Sequence, residues 1–400
     1  MIYLVAHETG RDCENGTCMQ KLKVAIIGAG SVAHFHAWAV EQLAPQATLI
    51  AIQSSNLTAA TAFAAQYKEA RAYATIDELL ALDLDAILVT TPPMHHHDVA
   101  IPFLERGVHA LIEKPLTSYT WQARAIQDAA QRGGALVSTC CQREFLPPVQ
   151  RVKRAMADGT LGHLVSCHAR VNGHREDAYY AVAPGKVAWR GMIEHGDGLL
   201  SNQAPHHIDL MRYFMGPFAS VSATVANLVH PKITAEDAAY GHVLFESGAI
   251  GSFHFSNAEA PGFYAGVTVT DCHGKTVEIQ TDARMFVAGS GGMAHIPCIN
   301  QWTGIDAATL AQWNKEDADA FNRSEKPTMQ FHLLAIQDFL NAIVEKRPPM
   351  IDGKAGLETV MFVDGCYLSN AVGGSAVALP LGPVSPENLC GRDKIRRLAD

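Results

Sequence analysis

The chain has 400 residues, 48% apolar and 18% charged, a texture that excludes a disordered protein and suits a soluble enzyme of two domains. Its 40 acidic and 31 basic side chains give a formal charge of −9 with no clustered Lys/Arg face, which argues against nucleic acid or an anionic membrane as partner and for a small molecule. No apolar run reaches the roughly 18 residues of a membrane span, and the first residues lack the basic segment and apolar core of a secretory signal, so a cytoplasmic protein is expected.

Residues 1–20 carry no periodic pattern and are expected to form a poorly ordered extension, with translation starting at Met19. Cys13 and Cys18, in CENGTC, have no second Cys/His pair nearby and make a weak zinc signal. The nine cysteines are scattered, with Cys140 and Cys141 adjacent in an apolar stretch, and buried thiols explain them best.

From Lys23 the chain reads KVAIIGAGSVAHFHAWAVEQL: a β-branched run, a glycine turn, then helical spacing. Gly28 permits the tight turn, Gly30 lets the backbone approach a pyrophosphate, and Ala33 allows close helix–strand packing. Ser31 and Val32 open a helix whose free N–H groups and positive end suit an anion. A second apolar run, ATLIAIQ, follows about 20 residues later, as a nucleotide fold requires. Where an NAD enzyme usually grips the ribose with Asp or Glu, this chain has Ser54, Ser55 and Asn56. No carboxylate repels a phosphate there, so NADP is favoured over NAD, although no arginine selects it. Next come a helix, a buried strand, TTPP with Thr91 and Pro92, a helix that includes His96, and a strand ending in Glu113, Lys114 and Pro115. Alternating strands and helices predict a doubly wound parallel sheet over residues 21–145, whose ligands sit at the strand carboxyl ends, where TTPP and EKP fall. Histidines 95 to 97 point in different directions on a helix and cannot share an ion, so no metal is expected.

After Pro147 the texture shifts to period two, first in HLVSCHARV. In KVAWRGMIEH, Trp189 and Arg190 are candidates to meet a polyol or an acidic substrate group, with an ion-pair role for Arg190 as the alternative. The segment DGLLSNQAPHHIDLM predicts a helix opening near Ser201 or Asn202 with Pro205 in its first turn; Asn202, His206 and Asp209 then share one face. FASVSATVANLVH, AYGHVLFESGAIGSFHFS and FYAGVTVTDCHGKTVEI read as long strands of a largely antiparallel sheet. Residues 282–326, with Gly289 to Gly292, Trp302 and Trp313, break that pattern and are expected to form a lid or an interface loop. FHLLAIQDFLNAIVEKRPP and LETVMFVDGCYLSNAV predict two helices packing back on the body. The expectation is an α/β protein: a Rossmann domain at 21–145, an α+β domain with a large, mostly antiparallel open sheet at 146–382, and a tail at 383–400.

Taken together, GAGSVA, TPPMHHHDVA, EKP and GLLSNQAPHHIDL resemble the glucose-fructose oxidoreductase, inositol dehydrogenase and rhizopine-catabolism (Gfo/Idh/MocA) family from about Lys21 to Leu381. The resemblance implies that Lys114 lies beside the nicotinamide and the reacting carbinol, that His206 is the acid/base, that Gln142 contacts the nicotinamide amide, and that the open sheet builds dimers or tetramers. Three departures stand out. Asn202 replaces an Asp that many members carry four residues before the histidine. Asp197 interrupts the glycine triplet before the helix, bringing an extra charge near the pocket. Glu144 replaces the second Arg of a common QR-type pattern.

Oxidising a secondary alcohol requires removal of the hydroxyl proton as hydride leaves for the nicotinamide. Lys114 is suited to polarise the oxygen, His206 to take the proton, Asn202 to orient the hydroxyl, and Asp209, a turn deeper, to fix backbone or the histidine tautomer. The expected activity is an NAD(P)-dependent dehydrogenase of a sugar, polyol or cyclitol. The alternatives are a dehydrogenase of aromatic cis-diols or dihydroxyphthalate-type acids, with Arg190 on a carboxylate, and a non-catalytic dinucleotide-binding regulator.

Overall fold

A computed structural model describes residues 21–181, 188–259, 264–281, 298–322, 329–382 and 392–397. The N-terminal extension, with Met19, Cys13 and Cys18, and the Gly289–Gly292 run lie outside the described residues. The first half runs β1 (Leu22–Ile27), α1 (Ser31–Gln42), β2 (Ala47–Gln53), α2 (Leu57–Ala64), β3 (Arg71–Tyr73), α3 (Ile76–Leu80), β4 (Ala86–Val89), α4 (His96–Leu104), β5 (His109–Glu113), α5 (Thr120–Gly133) and β6 (Val137–Cys140). The second runs α6 (Pro147–Ala157), β7 (Leu164–Asn172), α7 (Asp177–Tyr180), α8 (Leu199–Asn202), α9 (Pro205–Met215), β8 (Phe218–Asn227), β9 (Ala238–Phe245), β10 (Ile250–Ser256), β11 (Tyr264–Asp271), β12 (Thr276–Gln280) and β13 (Cys298–Trp302). It ends with α10 (Ala307–Asn322), α11 (Gln330–Glu345), α12 (Gly353–Ala371), β14 (Val377–Ala378) and β15 (Arg396–Arg397).

β1 to β6 form a parallel sheet in the order β3-β2-β1-β4-β5-β6. The order reverses between β1 and β4, which opens a crevice at the strand carboxyl ends. Side chains alternate across β1: Val24 and Ile26 face α1 and α2, Ala25 and Ile27 face α4 and α5, and all four are buried. The first of these faces is completed from the far end of the chain, because α11 inserts Ile336, Phe339 and Leu340 into the same core.

The second sheet runs β13-β12-β11-β7-β10-β9-β8-β14, with β15 also on β8. Its pairs are antiparallel except β7 with β10 and β8 with β15. Cys167, Ala169 and Val171 of β7 turn inward to the core that holds Ile208 and Met211 of α9 and Phe362 of α12. The opposite face leaves Val165, Tyr240, Leu244 and Ile250 exposed. The α/β class, with a Rossmann sheet and a larger, mostly antiparallel one, is as the sequence predicts. Among the described residues no helix is long and apolar enough to cross a membrane.

Four expectations are corrected. The single helix from Ser201 or Asn202 is two pieces, because Pro205 occupies the first position of α9 and α8 ends at Asn202. The described part of 282–326 is neither lid nor loop: β13 extends the sheet, and buried Trp302 packs edge-on to Trp313 of α10, ring centroids 5.3 Å apart. Residues 392–397, assigned to a tail, return to the body, where Arg392 is buried. Of the described cysteines, 140, 141, 167 and 366 are buried, whereas Cys272 is exposed.

Candidate active site

Gly28 has φ +109°, and a Cβ there would lie 2.9 Å from the Thr90 carbonyl carbon and Oγ1. Thr90 Oγ1 donates to the Ile27 carbonyl at 3.1 Å, so the ends of β1 and β4 close on each other and no side chain fits between them. Gly30 caps α1, and a Cβ there would meet nothing within 4 Å. Open space therefore lies against the positive end of α1, where the first N–H groups, those of Ser31 and Val32 among them, have no helical acceptor. Ala33 is fully buried. Ser54 is half-buried and Ser55 exposed beyond β2, while Asn56 Oδ1 accepts from Ala59 N at 3.1 Å as the cap of α2. The Thr91 hydroxyl, past β4, is buried without a partner. A tight glycine turn, a helix N-terminus with no side-chain cap and an orphaned hydroxyl at one switch point fit a dinucleotide.

His96 does not reach that space. Its ring is fully buried, with Nε2 2.9 Å from the Thr91 carbonyl and Nδ1 3.1 Å from that of Pro115, so it ties the TTPP turn to the EKP turn instead of touching a ligand. Pro92 starts that turn.

Glu113 ends β5 with Oε1 2.8 Å from His36 Nε2 and Oε2 accepting from the Lys114 amide at 3.1 Å. Burial alone would raise its carboxyl, but His36, His332 and Lys114 bring it down to about 2. His36, Glu113 and Cys140 offer ligand atoms within 4.8 Å of one another, yet His36 and Glu113 are already joined and burial holds the Cys140 thiol well above its usual range. Lys114 points the other way, and its Nζ donates to the Asn202 backbone carbonyl at 2.8 Å. Burial lowers the lysine and Arg143 adds to that; Glu113, Cys141 and Asp197 oppose it.

That carbonyl is available because α8 stops at Asn202, leaving one of the orphan acceptors of a helix end. The Asn202 side chain donates to Asp197 Oδ1 at 3.0 Å, and Asp197 Oδ2 accepts from Gly191 N at 2.6 Å. His206, in the first turn of α9, is buried; burial holds it well below its usual range, helped by Arg143, Lys114, His207 and His332. It is a neutral imidazole near a cation, with Nδ1 walled in and unpartnered. His207 turns aside, 2.8 Å from Arg143 Nη1 and 2.9 Å from Thr281 Oγ1.

Asp209 does not serve His206. It accepts from Arg212 Nη2 at 3.1 Å, and the same guanidinium holds Glu144 at 2.9 Å, so the carboxylate that departs from the common pattern is balanced inside the core. The Arg190 guanidinium stacks over Tyr179 and Trp189, 5.0 and 5.4 Å from the ring centroids, and donates to the Tyr179 carbonyl at 3.3 Å, which is not the ion pair weighed above. Gln142 donates to His332 Nε2 at 3.2 Å. Sequence reasoning misses His332 and His36 in this cluster; a lone histidine in the apolar run FHLLAIQDFL was the signal for the first. Arg143 is missed as well, because only its neighbour Glu144 departs from a pattern.

The matches to known proteins cover this architecture. Residues 22–140 match the sequence model described as "Oxidoreductase family, NAD-binding Rossmann fold". Residues 149–295 match that of the "GFO/IDH/MocA C-terminal domain". D-glucoside 3-dehydrogenase of Escherichia coli is 24% identical over 88% of this chain and 96% of its own. Inositol 2-dehydrogenase 4 of Saccharopolyspora erythraea is 27% identical over 54% of this chain and 59% of its own. Among solved structures, the WlbA dehydrogenase of Bordetella pertussis, in complex with NADH and UDP-GlcNAcA, superposes with a TM-score of 0.77 at 24% identity, over 92% of this chain and 100% of that one. With both halves matched in order, and with the glycine turn, the EKP strand end and the His206 helix meeting at one crevice, the chain belongs to the Gfo/Idh/MocA family of NAD-binding oxidoreductases.

Proposed function

We propose that the protein is an NAD(P)-dependent dehydrogenase that moves hydride between the nicotinamide and a secondary alcohol of a sugar, polyol or cyclitol. The observation that carries this reading is the pairing, across the crevice, of a buried lysine held by a helix-end carbonyl with a neutral histidine from the next helix. Relatives named as dehydrogenases of a glucoside and of inositol support the substrate class. Gly28, Gly30, Ser31 and Val32 would hold the pyrophosphate, Ser54 and Ser55 the ribose, and Thr91, Pro92, Glu113 and Gln142 the nicotinamide end. With no carboxylate beyond β2, NADP is accepted at least as readily as NAD.

When bound, the nicotinamide accepts the hydride. Lys114 Nζ donates to the substrate oxygen and stabilises the negative charge that develops there. His206 takes the hydroxyl proton at Nε2, the nitrogen that is not walled in, and can do so near neutral pH because its lowered pKa keeps it unprotonated. Asn202 Oδ1, left over once its Nδ2 binds Asp197, accepts from a neighbouring hydroxyl, and Trp189 with Arg190 borders the sugar ring. The exposed apolar residues of the open sheet, Tyr240, Leu244 and Ile250, are where a second copy would dock, which light scattering checks.

The test is cofactor reduction against a panel of sugars, polyols, cyclitols and cis-diol acids, with wild type and Lys114→Ala. We expect turnover with a member of the first three classes and a loss of about a hundredfold or more in the variant, with NADPH affinity nearly intact. Full turnover in Lys114→Ala would remove the lysine from the mechanism, and reduction by the acids alone would replace the substrate class.

A further inference from the structure

The carboxylate missing at position 202 is present one hydrogen bond away. Asp197 is buried, on a stretch with glycine at both sides, and its two oxygens are both used: Oδ1 by Asn202 Nδ2 at 3.0 Å, Oδ2 by Gly191 N at 2.6 Å. The first contact fixes the end of α8, whose Asn202 carbonyl holds Lys114 Nζ at 2.8 Å. The second fixes the loop that presents Trp189 and Arg190. A buried carboxylate is costly to keep unless donors and a nearby cation offset the burial; this one has two N–H donors, and Lys114 acts on it from beyond ion-pair distance. Burial pushes it up to about 7, Glu236 adds to that, and Gly191, Asn202 and Lys114 pull it down.

We propose that Asp197 is a positioning residue for Lys114, supplying by way of the α8 terminus the negative charge that Asn202 no longer carries. This rests on the reading of Lys114 as the group that polarises the substrate oxygen. Glu113 lies on the β5 side of the lysine and is shared with His36; Asp197 lies on the α8 side. Glu113, Cys141, Asp197 and Arg143 act on Lys114, which in turn acts on His206 and Cys140; Glu236 and Lys114 act on Asp197, which in turn acts on Tyr179 and Tyr367. Removing the Asp197 charge leaves Arg143 less opposed, so the lysine loses its proton at lower pH and its hold on Asn202 loosens.

The test measures kcat, KM and cofactor affinity from about pH 6 to about pH 10 for Asp197→Asn, which keeps the shape and removes the charge; its oxygen still accepts from Gly191 N, and its new N–H is met by Asn202 Oδ1 once that amide turns over. We expect kcat to fall about tenfold with KM and cofactor affinity within about twofold, and the alkaline limb to move down by about half a pH unit or more. A merely structural role would reduce the fraction of active sites and leave the limb in place, and that result overturns the proposal. A second arm compares Asp197→Gly with the double variant Asp197→Gly/Asn202→Asp. Recovery of most of the wild-type kcat in the double variant supports the proposal; a double variant no better than Asp197→Gly overturns it. If Asp197→Gly does not fold, the shape-preserving variant decides alone. The two readings separate cleanly, because an active Lys114→Ala sinks the mechanism, whereas an inactive Lys114→Ala beside a fully active Asp197→Asn sinks only the role of Asp197.

Discussion

Burial favours the neutral form of two side chains of this crevice: it holds His206 well below its usual range and raises Asp197 to about 7, so Asp197 carries its charge above that pH and loses it below. The sign for stability follows. Asp197 rises from 3.8 unfolded to about 7 folded, so between those values the folded protein keeps a proton that the unfolded chain has lost. The contribution is fully present below about pH 4 and is lost as the pH rises through about 7. Asp197→Asn is therefore expected to be more stable than wild type at about pH 8, by on the order of a few kcal/mol, with the gap closing toward about pH 4. Urea unfolding at the two pH values measures it. A variant less stable than wild type at the higher pH would mean that the carboxylate is a net support of the fold and would contradict the burial cost. Stability gained where activity is lost is the usual trade at a site built on buried charge.

At the scale of elements, the turn after β2 makes the cofactor testable. Asn56 is occupied in capping α2 and its backbone amide donates to Ser54 Oγ at 3.2 Å, so in the proposed reading Ser54 and Ser55 are the side chains that would meet a ribose. Ser54→Asp puts a carboxylate there, and the ratio of kcat/KM for NADP over NAD is expected to fall at least tenfold by repulsion of the phosphate. An unchanged ratio would move the ribose away from Ser54. The first-half elements are legible in the sequence because each carries a local rule: Gly28 needs a positive φ, Thr75 and Glu78 make a capping box, and β1 is apolar on both faces. The α8–α9 region is only half legible. Pro205 announces a helix start, but nothing local tells whether the preceding turn joins it, and on that break depends the carbonyl that holds Lys114. The Asp197–Asn202 bond spans five residues through a turn of no regular period, so no pattern exposes it. Trp302 reads as a loop residue because its strand is an edge whose pairing is known only once β12 is placed.

Across the whole molecule, contacts far apart in sequence hold the two sheets in one arrangement around the crevice. α11 brings His332 to Gln142 and within 4.0 Å of Glu113, and Asp364 of α12 accepts from Thr120 N at 2.8 Å and from its hydroxyl at 2.7 Å. The same carboxylate binds Arg392 Nη2 at 2.9 Å, and that guanidinium lies over the rings of Tyr119 and Tyr367, 4.4 and 4.7 Å from their centroids. Tyr367 in turn donates to Glu236, which accepts from Leu200 N of α8, the helix before α9. Arg392→Met strips Asp364 of its buried cation, so a loss of about 3–5 kcal/mol in unfolding free energy is expected from urea titration, partly recovered in Arg392→Met/Asp364→Asn. No loss would show that the C-terminal segment is dispensable to the fold.

The proposed mechanism rests centrally on the base at His206, and chemical rescue addresses its role most directly. His206→Ala is assayed for oxidation of the best alcohol from the panel, normalised to cofactor-binding sites and titrated with imidazoles of graded basicity. The account predicts a fall of about a hundredfold or more, a rate restored in proportion to the neutral imidazole present, and stronger rescue by the more basic members of the series. Turnover within a few-fold of wild type in the absence of any imidazole would contradict it.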